Sequence, residues 1–371
     1  MTDERWARLG LAAAQDAGDA DMVKLVRDRG AEEVWDYVRS GRGRTTLAQR
    51  AAQIDLAELA RQTDAAGARF LIPGDAEWPA GVRDLSWSDP VGGFGGEPIG
   101  LWVAGPADLG GLGAAVAMVG SRASTAYGEH VAADWAVGIA ERGHAVISGG
   151  AYGIDACAHR GALAADGVTV AVMAGGLAQL YPPGNSALLA RVAAAGAVVS
   201  EYPPDRPPSR ARFLVRNRLI AALSRATVIV EGAVRSGAQN TVSWALSLQR
   251  VVLAAPGPVT SAMSVTPHRL VRSGEAILVT SVEEILAALG PVDSAVPDYQ
   301  RAVPTVLDSL SAGQKTVREA MPARRSVGVD ELCAVTGESA PSVLASLGGL
   351  SQLGLVSQPS PGLWRVVPRP A

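Results

Sequence analysis

The chain has 371 residues, of which 48 % are apolar and 19 % charged. That composition excludes a disordered or fibrous protein and suffices for two or three domains with a sizeable core. With 33 basic against 36 acidic residues the formal charge is −3, which on its own argues mildly against nucleic-acid binding and leaves the matter to whether positive charge is gathered locally.

The opening MTDERWARLG lacks the basic and apolar regions of a signal peptide. A long uncharged run, Gly167 to Ala190, is interrupted by Gly175, Gly176, Pro182, Pro183 and Gly184, which suits a strand and its loop rather than a membrane span. Cys157 and Cys333 lie far apart, without metal-ligand spacing. A cytoplasmic protein with no membrane association, no metal and no cofactor is expected. Lysine is nearly absent (Lys24 and Lys315), so arginine carries the positive charge.

Residues 1–68 read as a small helical domain. Trp6, Leu9 and Leu11, then Met22, Val23, Leu25 and Val26, fall near helical spacing, and Gly30 and Gly41 mark helix stops. Two apolar pieces follow, Arg69 to Pro73 and Leu101 to Ala104. From Ala115 a regular pattern sets in. Runs without period-2 alternation recur at 116–119, 145–147, 168–173, 198–199, 227–230, 251–254 and 276–279, which is how strands covered on both faces read. Stretches of helical length separate them, among them 127–141, 155–165, 213–224 and 241–249. Residues 69–290 are therefore expected to form a doubly wound, mostly parallel α/β sheet, with ligands outside the carboxyl ends of its strands. Residues 291–305 carry three prolines and read as a linker. In 306–371 three helical patterns (314–321, 329–335 and 340–353) precede a hairpin around Pro359, Pro361 and Gly362, the order of a winged helix.

Four loops carry the chemistry. In the first, Met118 to Gly128, a strand ends at Gly120 and Ser121, Ser124 and Thr125 precede a helix. Its amides and helix dipole would face an anion that Arg122 grips, or it is a plain strand–helix turn. It is neither a Walker A motif nor a dinucleotide fingerprint. In the second, Ile147 to His159, Gly149, Gly150 and Gly153 permit close backbone approach. Asp155 and His159 share a helix face but have no nucleophile beside them, so a structural role is the favoured reading over a catalytic dyad. The third holds six arginines between 206 and 225 and no acidic residue, with Phe213 among them. Arginines there can hold phosphates and the ring can stack on a base; otherwise Phe213 and Leu219 are helix core and the arginines a solvated face. In the fourth, Val228 to Thr241, Ser236 and Gly237 suit anion contact, or Asn240 or Thr241 simply caps a helix.

In their order and spacing these loops resemble the DprA/Smf (DNA-processing protein A) family. The carrying motifs are Val119–Arg122, Ser148–His159, Tyr181–Asn185, Ser200–Pro203, Phe213–Ile220, Ser236–Ala238 and Pro256-Gly257. The resemblance implies an extended Rossmann-like domain that binds single-stranded DNA without catalysis, loads the recombinase RecA in natural transformation or homologous recombination, and forms a homodimer through that domain. Carried over by motif, Arg122 contacts phosphate, Phe213, Arg216, Asn217 and Arg218 line the DNA groove, and Ser148, Gly149, Ser236 and Gly237 complete it. Removing Arg122, or Arg216 with Arg218, is then expected to weaken single-strand binding and leave folding intact. Gly150 stands where the family usually has a larger apolar residue, and His268 to Val271 depart from its pattern near the dimer and RecA surfaces.

Two rival readings remain. A nucleotide-cleaving hydrolase of the lysine-decarboxylase-like group would carry Pro-Gly-Gly-x-Gly-Thr where this chain has Ser236 to Thr241. A transcription regulator would grip duplex DNA with the tail, yet residues 340–353 contain no Arg or Lys.

Overall fold

The computed structural model describes residues 2–41, 45–234, 236–290, 306, 307 and 309–367. The linker expected at 291–305 lies outside them. Five helices, α1 (Asp3–Ala14), α2 (Ala20–Arg29), α3 (Ala31–Arg39), α4 (Thr45–Ala52) and α5 (Leu56–Ala65), open the chain. There follow β1 (Ala68–Leu71), β2 (Leu101–Ala104), β3 (Val116–Val119), α6 (Ala126–Glu141), β4 (Val146–Ser148), α7 (Ile154–Ala164), β5 (Thr169–Val172), α8 (Ser186–Ala195) and β6 (Ala197–Ser200). Then come α9 (Arg210–Ala222), β7 (Ala226–Ile229), α10 (Ala238–Ser247), β8 (Val251–Ala254), α11 (Val265–Arg272), β9 (Ile277–Leu278) and α12 (Val282–Ala287).

The nine strands form one sheet in the order β1-β2-β6-β5-β4-β3-β7-β8-β9. Pairing is parallel from β6 through β9, and β2 joins β6 antiparallel with β1 antiparallel at the edge. β3, β5, β6 and β7 are buried at every residue, which is why their sequences run apolar without alternation. The pleat still sorts their side chains. Ala117 and Val119 of β3 face a core shared with Leu219 of α9 and Trp244 of α10. Val116 and Met118 face Trp135 of α6 and Ala158 of α7.

The helical region expected at 1–68 is not insulated from this sheet. Leu9, Leu11, Val34 and Trp35 share a core with Trp102 of β2, Val198 of β6 and Leu189 of α8. Arg5 forks onto Asp75 at 2.6 Å, Arg206 donates to the Ala13 carbonyl at 3.0 Å, and the Trp102 indole donates to Thr63 Oγ1 at 3.0 Å. Residues 1–297 accordingly form one compact unit and 298–371 a second.

The second unit holds α13 (Ala312–Ala320), β10 (Val327–Gly328), α14 (Val329–Thr336), α15 (Ala340–Gln352), β11 (Val356–Ser360) and β12 (Leu363–Val366). Its strands order as β10-β12-β11, over a core of Leu310, Val317, Leu332, Val343 and Leu347. β10 is too short to leave a periodic signal. α13 starts two residues before the sequence pattern does because Ser311 and Gln314 close a capping box. Among the described residues no helix is long and apolar enough to cross a membrane.

Candidate nucleic-acid interface

β3 is the pivot of the sheet. From it the chain steps to β4, β5 and β6 on one side and returns to β7, β8 and β9 on the other, so the loops after β3 and β7 diverge into a crevice. In nucleotide-binding sheets that crevice holds a phosphate on a helix N-terminus. Here the anion is the protein's own. Glu231, just past β7, accepts from the Thr125 amide at 2.9 Å and the Thr125 hydroxyl at 2.6 Å at the start of α6. Gly128 packs so close that an added Cβ would meet the Glu231 carboxylate at 2.4 Å.

The turn after β4 is closed the same way, because buried Asp155 accepts from the amides of Gly149 at 3.1 Å and Ala151 at 3.4 Å. Burial pushes the Asp155 carboxyl up, while Arg216 and these two amides pull it down. At the start of α6 an internal carboxylate thus takes the Thr125 amide, and in the turn after β4 another takes those of Gly149 and Ala151, so these three amides do not face an external anion as expected.

Side chains that can meet a ligand come from the loop after β3 and from α9. Arg122 is exposed, and its guanidinium lies 4.7 Å over the half-buried ring of Phe213. Tyr181, from the segment after β5, brings its ring to 5.8 Å from the Phe213 ring. Arg210 is exposed and lies one turn before Phe213, on the same helix face. The sequence reading placed Arg210 in the arginine run without assigning it to the groove, and only its three-residue spacing from Phe213 pointed to it.

The other expected groove residues sit deeper. Arg216 is 4 % exposed. It donates to the carbonyls of Gly149, at 2.5 Å, and Val172, and its Nε donates to Asn217 Oδ1 at 3.1 Å. Burial lowers its pKa to about 10. Its guanidinium still lies 5.6 Å from the Phe213 ring, so it props the platform from within. Asn217 is buried and donates to Asn240 Oδ1 at 3.1 Å. Ser148 is buried and its hydroxyl donates to the Met118 carbonyl at 2.6 Å.

Arg218 is corrected outright. It has no exposed surface and forks onto the buried carboxylate of Glu201, with one arm at 2.7 Å, while its Nε donates to the Gly96 carbonyl at 3.2 Å. Five residues along a helix is a rotation of about 140°, which turns Arg218 away from Phe213 and toward the N-terminal helices. The expectation that Arg216 and Arg218 can be removed together with folding intact falls with it. In the loop after β7, Ser236 caps locally by accepting from the Ala238 amide at 3.2 Å, and Gly237 is exposed.

Gly149 must be glycine for a steric reason, since a Cβ would come within 2.1 Å of the Arg216 guanidinium. Gly149→Ala is expected to cost about 1–3 kcal/mol as the two groups are forced apart. Urea denaturation checks this, and an unchanged midpoint would show that Arg216 moves freely.

The Asp155–His159 pair is structural. The Thr169 hydroxyl donates to the Val146 carbonyl at 2.8 Å, so it accepts from His159 Nδ1 at 2.7 Å, which fixes the proton on that nitrogen. Burial lowers the His159 pKa to about 3, keeping the ring neutral.

The sheet order and this edge define the class: a Rossmann-like α/β protein with internal carboxylates on amides of two edge loops and a surface of arginine and aromatic side chains at the same edge. Within that class the chain belongs to the family described as DNA recombination-mediator protein A (DprA/Smf), whose sequence model matches residues 69–290. A relative from Mycobacterium tuberculosis, called putative DNA processing protein DprA, is 44 % identical over 99 % of this chain and 95 % of its own length. Protein Smf of Escherichia coli is 44 % identical over 47 % of this chain and 46 % of its own. Among solved structures, DNA processing protein A from Streptococcus pneumoniae aligns with a TM-score of 0.64 at 29 % identity, over 77 % of this chain and 98 % of that one. The Helicobacter pylori protein, described for its single-stranded DNA binding mode, aligns with a TM-score of 0.52 at 25 % identity, over 60 % of this chain and 97 % of that one.

Proposed function

We propose that this protein binds single-stranded DNA along the carboxyl edge of its sheet, without catalysing a reaction, and that it protects incoming strands and loads RecA onto them in transformation or homologous recombination. The observation that carries the reading is the exposed Arg122 guanidinium stacked over Phe213 at 4.7 Å, a charge for phosphate and a ring for a base on one surface. Arg210 adds a second cation, and Ser236 and Gly237 lie on the loop beside the crevice. The description of the Helicobacter pylori relative as a single-strand binder supports the same reading. Ser236 to Thr241, standing where a nucleotide-cleaving hydrolase of the lysine-decarboxylase-like group carries Pro-Gly-Gly-x-Gly-Thr, speaks against that rival. Cytoplasmic location, a homodimer through the sheet domain and an auxiliary winged-helix role for the C-terminal unit belong to this proposal.

The test is a mobility-shift titration of labelled poly-dT and a matched duplex at two salt concentrations. Wild type is expected to prefer the single strand, with affinity falling as salt rises. Each phosphate held by an arginine contributes about 0.7 to the slope of log affinity against log salt, so Arg122→Ala is expected to flatten the slope by that amount. A flat response in wild type, or preference for the duplex, refutes the proposal.

A further inference from the structure

The motif Tyr181-Pro-x-x-Asn185 has no role in the groove as proposed, yet the structure builds it into the same edge. Asn185 is 3 % exposed, and its Nδ2 donates to the carbonyls of Gly150 at 3.0 Å and Ala151 at 3.1 Å. Those carbonyls belong to the turn after β4 that carries Tyr152. Tyr152 in turn lies against Gly184, where an added Cβ would come within 2.7 Å of the tyrosine oxygen. Asn185 and Gly184 thus join the loops after β4 and β5 into one platform.

On that platform the rings of Tyr152 and Tyr181 stand in water, 48 % and 43 % exposed. Among the described residues the exposed aromatic side chains are Tyr37, Trp87, Tyr127, Tyr152 and Tyr181. The last three follow the carboxyl ends of β3, β4 and β5. Single exposed rings are ordinary on a protein surface. Tyr127 is held by its hydroxyl, which donates to the Pro256 carbonyl at 2.6 Å, whereas Tyr152 and Tyr181 present flat apolar faces at the sheet edge that also carries Arg122. The Tyr181 and Phe213 rings are 5.8 Å apart with planes at 59°, so one base cannot lie flat on both.

Resting on the single-strand reading above, we infer that Tyr181 is a second base-stacking residue, taking the base next to the one on Phe213, and that Tyr152 continues the row. The strand then crosses the loops after β5 and β4 rather than ending at α9. Stacking contacts of this kind tolerate any base, so the extension adds affinity without sequence preference.

Two probes separate the outcomes: an oligo-dT strand, and a strand of equal length with abasic residues, which keeps the phosphates and removes the faces. Tyr181→Ala is expected to weaken binding to oligo-dT on the order of five-fold or more, to leave abasic binding unchanged, and to be rescued by Tyr181→Phe. Tyr152→Ala is expected to act in the same direction. Arg122→Ala is expected to weaken both probes. Equal loss on both probes for Tyr181→Ala, or no loss on oligo-dT while Phe213→Ala still loses affinity, overturns the inference and leaves the single-strand reading standing. Absence of oligo-dT binding by wild type overturns both. Melting curves of each variant identify any loss due to unfolding, in which case Tyr181→Leu, which keeps apolar bulk without a ring, is expected to fold and still lose affinity for oligo-dT alone; if it binds oligo-dT as wild type does, the inference falls.

Discussion

Arg218→Ala is expected to destabilise residues 2–290 by about 3–5 kcal/mol, the cost of leaving a buried charge unpaired. The Arg218 side chain has no exposed surface and that of Glu201 is 4 % exposed. The guanidinium meets both carboxylate oxygens and its Nε reaches the Gly96 carbonyl. Removing it leaves the buried Glu201 carboxylate without its guanidinium donors. The pair need not be stabilising relative to an apolar substitute of similar volume. A double variant, Arg218→Met with Glu201→Leu, is therefore expected to recover much of the loss. Urea denaturation of wild type, both single variants and the double variant measures this. Wild-type stability for Arg218→Ala combined with lost DNA binding would return Arg218 to the groove and defeat the structural assignment.

Phe213→Ala is expected to weaken single-strand binding by about 1–3 kcal/mol, the worth of one base stacked on an aromatic ring. Arg122→Ala is expected to lose a phosphate contact as well as the cation that rests on that ring. Because the two side chains touch at 4.7 Å, their effects should not add. The double variant is expected to lose less than the sum of the single losses, since either change alone already disrupts the shared platform. Arg122 is exposed, and its removal should move stability by no more than about 0.5 kcal/mol. A titration of all four proteins against poly-dT at fixed salt, with melting curves alongside, supplies the cycle. Fully additive losses would mean that the arginine and the ring act at separate places on the strand.

These contrasting expectations come from residues of one motif, Phe-Leu-Val-Arg-Asn-Arg at 213–218. A motif shows that the residues occur together, and α9 then distributes them around a cylinder. Phe213 shares the ligand edge with Arg210 and Arg122, Arg216 reaches inward to the Gly149 turn, and Arg218 points to the opposite side. Charge density in sequence is therefore a poor guide to charge density on the surface. Four of the six arginines that suggested a phosphate groove, Arg206, Arg212, Arg216 and Arg218, are spent on carbonyls and carboxylates of the protein itself.

The sheet was legible because its physics is local. A strand covered on both faces must be apolar at every position, and runs such as Val116 to Val119 and Thr227 to Val230 carry that requirement openly. The glycines of the loops, Arg122 and Phe213 were also visible as residue types suited to a ligand edge, whereas the stacking of Arg122 on Phe213 came only with the fold. What sequence could not decide was which polar groups meet each other across the fold. Glu231 takes the Thr125 amide from a position 106 residues away, Arg218 finds Glu201 beneath the N-terminal helices, and Asn185 ties the Tyr181 loop to the Gly150 turn. Such partners are set by strand order and by the burial that makes an unpaired polar group costly. Neither quantity has a period along the chain, so the fold class was written in the sequence while the division between ligand-facing and structural charge was decided by tertiary packing.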